Sequence, residues 1–178
     1  MPRDIRPLSR TRKSEILRIA RRHPELESLL KTRGRTLFVE PNIADRGQPE
    51  GAEQAVVGLY DYARNRSLVA LVDRKRGEVV AVQETPAQFQ LSEEERADAE
   101  RLAGADDRVQ EFLAGRAMNP LTRLYFPPQA GAIEPTHRHA VVFLRPNNQE
   151  RRYAVVDLSE GTVVDVLYPD ALTADEPG

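Results

Sequence analysis

Apolar positions along the chain follow two periods. Leu26, Leu29 and Leu30 recur at helical spacing, and so do Val109, Phe112 and Leu113. Shorter strand-like runs lie between them, near 36–42, 54–62, 67–74 and 78–85, and again near 121–127, 138–146, 151–158 and 162–168. Asn65, Gly77, Asn147-Asn148 and Gly161 supply turn chemistry between consecutive runs. Short turns join antiparallel neighbours, so each set of four runs predicts an antiparallel meander. The helical stretch before each set is predicted to be broken. Pro24 suits the first position of a second half-helix, and Asp106 suits the matching N-cap. Ser92 and Glu95 have the Ser-x-x-Glu spacing of a capping box.

The two sets are related. ILRIARRHPELESLL, residues 16–30, aligns with AERLAGADDRVQEFL, residues 99–113, at an offset of 83 without gaps. VALVDRKRGEVVAV, residues 69–82, aligns with YAVVDLSEGTVVDV, residues 153–166, at an offset of 84. A nearly constant offset over distant segments predicts two copies of one α+β unit, each a helix packed on a four-stranded antiparallel sheet. The expected boundaries are 1–88 for the first unit, 89–170 for the second and 171–178 for a disordered tail. Simple alternation puts Val69, Leu71, Val80 and Val82 on one face, and Leu68, Ala70, Val72, Val79 and Ala81 on the other. In the second copy Val141 and Phe143 oppose Ala140, Val142 and Leu144. A sheet covered by one helix needs only one apolar face. The second predicts further cover from the other copy or from another chain, hence a homodimer.

Composition narrows the function classes. The 178 residues are 40% hydrophobic and 30% charged, with no cysteine and no tryptophan. Disulfides, thiolate zinc sites and cysteine nucleophiles are excluded. No run reaches the ~20 apolar residues of a membrane span. The basic opening MPRDIRPLSRTRKSEIL lacks the apolar core of a signal peptide, so a soluble cytoplasmic protein is expected. The net charge of -2 is unevenly placed. Residues 1–35 hold eleven Lys or Arg against four Asp or Glu, whereas residues 92–115 hold eight acids and three Arg. This split predicts either attraction between the two helices or docking of an acidic partner on the basic one, at Arg12, Lys13, Arg18, Arg21 and Arg22. The basic stretch has no interleaved aromatics, so nucleic acid is not expected.

Candidate chemistry is sparse. His137 and His139 form a His-x-His pair that shares a strand face and suits two metal ligands, with Glu134 as a nearby carboxylate. His23 lies in the other copy. Tyr60 and Tyr62 share a strand face, fit to line a pocket or join the core. Asp73 and Asp157 recur at strand ends, which points to turn hydrogen bonding. No Gly-x-Gly-x-x-Gly, P-loop or Gly-x-Ser-x-Gly pattern is present. No residue is assigned a catalytic role and no cofactor is expected.

The run VVGLYDYARNRSLVALVDRKRGEVVAVQETP resembles the first small N-terminal domain of copper amine oxidases, through Leu71-Val72-Asp73, Gly77, Val79 and Pro86. SEEERADAERLAGADDRVQEFLAGRA is similar to that family's connection into its second small domain, carried by Ala105, Asp107, Arg108, Val109 and Gln110. HAVVFLRPNNQERRYAVVDLSEGTVVDV is similar to the second domain's meander. The resemblance implies two cystatin-like units in tandem. In that family catalysis belongs to a large C-terminal β-sandwich with copper histidines and a quinone-forming tyrosine after an asparagine. The present sequence has no Asn-Tyr pair. The resemblance therefore implies a non-catalytic accessory or binding module that contacts a protein or peptide. The alternatives are a small cystatin-like enzyme using His137, His139, Glu134 and the Tyr60/Tyr62 pair, and the N-terminal fragment of a larger amine oxidase.

Overall fold

A computed structural model describes residues 8–42, 54–128, 133–144 and 151–168. The expected turn at Asn147-Asn148 and the expected tail 171–178 lie outside these residues. The fold is α+β, with two four-stranded antiparallel sheets. The chain divides into two compact units, Met1–Phe89 and Gln90–Gly178. No helix among the described residues is long and apolar enough to cross a membrane.

The first unit runs α1 (Arg10–Ala20), α2 (Pro24–Lys31), β1 (Gly34–Pro41), β2 (Gln54–Asp61), β3 (Arg66–Asp73) and β4 (Glu78–Thr85). Its strands pair in chain order. The helix break falls at Arg21–His23, and α2 restarts with proline at its first position, where a missing N–H costs nothing. Ile16, Ile19 and Ala20 of α1 and Leu26 and Leu29 of α2 form one buried stripe. It closes over Ala55, Val57, Leu59, Leu68, Ala70 and Val72 of the central strands.

The second unit repeats this order with α3 (Glu93–Ala105), α4 (Asp107–Leu113), β5 (Leu121–Tyr125), β6 (His139–Leu144), β7 (Arg152–Asp157) and β8 (Thr162–Leu167). Ser92 and Glu95 form a reciprocal capping box, and the Asp106 side chain caps α4 through the Arg108 N–H. Ala99, Ala103, Val109, Phe112 and Leu113 cover Ala140, Val142, Leu144, Ala154 and Val156. β5 stops at Tyr125, short of the expected 127, because Pro127 and Pro128 have no N–H for the ladder.

Simple alternation fails on the last strand of each sheet. The register slips between Leu71 and Val72, so that Leu71 faces Ala81 while Val72 faces Val79. Val80 is the extra residue and is half exposed. Val79 and Val82 therefore both pack on the core, although sequence alternation assigned them to opposite faces. The same slip occurs between Val155 and Val156. It leaves Val164 exposed and brings Val163 and Val166 onto the second core.

The face away from α1 has partial cover of its own. Phe38 lies over Gly58 and meets Phe89 edge-on, with ring centroids 4.9 Å apart. A side chain at residue 58 would overlap the Phe38 ring. Gly58→Val should thus lower the stability of the chain by about 1–3 kcal/mol, the usual cost of overpacking, as read by urea denaturation.

Candidate functional site

Two features stand out, one in each unit. The first is the cationic surface of α1. Arg10, Arg12, Lys13, Arg18, Arg21 and Arg22 are all exposed. At 100° per residue, Arg10, Ser14, Arg18 and Arg21 line the side of α1 opposite Ile16, Ile19 and Ala20. Lys13 lies roughly a quarter turn from this stripe, and Arg12, roughly 165° from it, lies toward the side of Ile16 and Ile19. Among the described residues no carboxylate forms an ion pair with any of the six. The one acid within α1, Glu15, pairs with Arg74 instead. Other surface cations have partners, as in Lys31–Glu27, Arg66–Glu84 and Arg108–Asp106.

In the acidic stretch 92–115, Glu95 is buried, Asp98 pairs with Arg101 and Glu100 accepts from Thr122, while Glu93, Glu94, Asp107 and Glu111 are exposed. Arg10 was absent from the sequence-derived candidates. Its signal was its place on the stripe with Arg18 and Arg21, eight and eleven residues on.

The second feature is a polar cluster at one end of the second sheet, where the backbone of 137–139 threads between two groups. On the helix side, Arg138 and Glu95 form a two-pronged pair at 2.6 and 3.2 Å, and both side chains are fully buried. Arg138 also donates to the Gln90 carbonyl, while the second Glu95 oxygen accepts from the Ser92 N–H at 2.7 Å. The capping box thus doubles as the counter-charge of a core arginine. The Arg138 backbone is fixed as well. Its N–H donates to Ser159 Oγ and its carbonyl accepts from the Leu158 N–H.

On the opposite face of the strand stands Asp157. One carboxylate oxygen accepts from the N–H groups of Ser159 and Glu160 and holds the turn into β8. Asp73 does the same for the Arg76 N–H in the first unit, as expected of recurrent turn aspartates. The other Asp157 oxygen lies 2.7 Å from His137 Nδ1 and 3.6 Å from His139 Nε2. His139 Nδ1 lies 3.1 Å from the His137 carbonyl, which can only accept, so Nδ1 carries a hydrogen. That leaves His139 Nε2 buried and without a hydrogen-bond partner. Burial pushes the His139 pKa down, and Asp157 opposes this incompletely. Chemically, Asp157 orients the His137 ring as an Asp–His pair.

The remaining candidates are more scattered. Glu134 is exposed and accepts from the Thr136 hydroxyl and N–H, which hold its pKa below the usual carboxylate range. His23 occupies the N-cap position of α2. Tyr60 is buried against Tyr62, with ring centroids 4.8 Å apart. Among the described residues no group of three or more His, Asp and Glu side chains is arranged to hold a metal. Arg138 was not singled out in the sequence, because nothing in a lone arginine at a strand start signals burial. The chain matches no protein-family model and no curated protein.

Breaking one partner of a buried pair strands the other charge. Arg138→Met should cost about 3–5 kcal/mol in urea unfolding, and adding Glu95→Leu should restore most of it. His139 has a second, pH-dependent consequence. Because folding lowers its pKa, its contribution to stability is complete above the unfolded value of about 6.5 and is lost as pH falls through the folded value. The urea midpoint should fall over that range, and less steeply in His139→Gln.

Proposed function

We propose that the chain is a non-catalytic binding module that docks an acidic protein or peptide segment on α1. Its two units are read as a tandem pair of cystatin-like domains resembling the small N-terminal domains of copper amine oxidases. The tandem reading draws support from the common element order, the matching helix breaks and the slipped register at Val80 and Val164, 84 residues apart.

The docking reading is carried by one observation: six exposed cations between Arg10 and Arg22, four on the eleven-residue α1 and two just after it, none with a carboxylate partner among the described residues. The placement of three of them opposes local stability. Arg10, Arg12 and Lys13 occupy the first turn, where the helix dipole is positive and no acid is present. The equivalent turn of α3 carries Glu93, Glu94 and Glu95. Each cation misplaced in this way costs roughly 0.3–1 kcal/mol. Charge retained against that gradient is explained by an anionic partner. The stripe from Arg10 to Arg21 is about 16 Å long at 1.5 Å per residue, enough for an extended segment of about five residues.

The test is fluorescence anisotropy with a labelled Glu- and Asp-rich peptide. Binding should weaken steeply with salt. The triple variant Arg18→Glu/Arg21→Glu/Arg22→Glu should bind about tenfold or more weakly, a loss of about 1.4 kcal/mol. Arg12→Glu should separate function from folding. It gives α1 the Ser-x-x-Glu pattern of α3 and should stabilise the chain by about 0.5–1 kcal/mol while weakening the peptide. Equal affinity for the wild type and the triple variant would refute the reading.

A further inference from the structure

We propose that the outer edge of β5 takes up one short extended segment of a partner protein as an added strand, with an acidic side chain opposite Arg123 and apolar side chains two residues to either side. This surface is separate from the α1 stripe and does not depend on docking there. The two sheets have four edge strands, β1, β4, β5 and β8. Three of them carry a register slip. On β1 it falls between Thr36 and Phe38, and on β4 and β8 at the positions already described. A slip twists an edge and interrupts the even succession of N–H and C=O groups that an incoming strand needs. β5 is the exception. Residues Leu121 to Tyr125 pair one by one with Phe143 to His139 of β6, without a slip.

The far side of this strand has backbone groups to offer. In an antiparallel ladder alternate residues turn both N–H and C=O away from the neighbouring strand. Of the four residues 121–124, two therefore face outward. Among the described residues no backbone group outside the sheet bonds to any of the four. Proline bounds the stretch at both ends, at Pro120 and at Pro127-Pro128, and neither end has an N–H to extend the ladder. The edge thus fits a segment of about five residues and no longer strand.

Side chains choose the occupant. Leu124 packs on the helix-side core and Thr122 bonds Glu100 of α3, so Leu121, Arg123 and Tyr125 share the opposite face. Leu121 is 40% exposed. Arg123 is exposed too, and among the described residues it has no ion pair and no other polar partner. A guanidinium left unpaired between two apolar neighbours is matched by a carboxylate directly across, with apolar groups opposite Leu121 and Tyr125. The same charge argues against a second copy as the occupant. An antiparallel two-fold pairing centred on β5 would set the two copies' Arg123 side chains opposite each other, and like charges in that position repel. Backbone hydrogen bonds then supply the attachment and Arg123 the selectivity.

The experiment is an amide NMR titration of the full chain with the peptide acetyl-Val-Thr-Glu-Thr-Val-amide. The amides of 121–124 should shift and exchange more slowly on binding. N-methylation of one alternate set of peptide amides should abolish binding while methylation of the other set leaves it intact, because only one set faces β5. Arg123→Glu should weaken the peptide by about tenfold and recover binding to the same peptide with lysine at its centre. Arg123 is a surface side chain, and the unchanged shifts of the rest of the chain report that this variant is folded. Four results would overturn the inference: no response at 121–124, shifts confined to α1, equal tolerance of both methylated peptides, or equal affinity of wild type and Arg123→Glu. Protection of 121–124 that grows with protein concentration in the chain alone would assign the edge to a second copy and overturn it as well.

Discussion

A four-stranded sheet with one apolar face needs a cover that follows its width, and a single straight helix offers only a narrow stripe. Both units meet this constraint by breaking the helix. In the first, Ile16, Ile19 and Ala20 point down before the break at His23, and Leu26 and Leu29 after it. In the second, Ala99 and Ala103 are followed by Val109, Phe112 and Leu113 across Asp106. The break needs a residue that stops one helix and starts the next. Pro24 and Asp106 do this by different means, through a tolerated missing donor and a side-chain acceptor. With the cover secured in this way, the outward faces of the helices are free to differ, and they differ in the sign of their charge.

The elements that depend on local chemistry were legible. Helix breaks, the capping box at Ser92, turn glycines at 77 and 161 and the helical core stripes all follow from residue type and spacing. Gly77 and Gly161 adopt positive φ, which explains their recurrence after Asp73 and Asp157. The register slips were not legible, because a valine run gives no sign of where an extra residue falls. Val79, Val80 and Val82 are chemically alike, and only the pairing with β3 decides which of them is core. The polar cluster was half legible. His137 and His139 drew attention as a pair, and Asp157 as a turn residue. Their meeting is a product of cross-strand register, with His139 opposite Asp157. Arg138 was hidden because its partner lies forty-three residues away, in a helix cap.

The two candidate regions reflect different balances between stability and use. In the second unit nearly every polar group in the cluster is engaged. Glu95 serves a cap and a core arginine, and Asp157 serves a turn and a histidine. Such doubling ties the helix start to the sheet end, so that a change at one is felt at the other. In the first unit α1 carries its charge outward and, in its first turn, against its own dipole. One region is constrained by internal satisfaction and the other is left incomplete.

The slips at Val80 and Val164 also bear on how the molecule avoids its own kind. β4 and β8 are the last strands of their sheets, so one side of each backbone is left unpaired within its own sheet. A flat ribbon of that sort is a template on which foreign strands can grow. An extra residue in its middle twists it and interrupts the regular succession of donors and acceptors. Polymerisation by strand addition is thereby discouraged at both borders, and association is steered toward side chains.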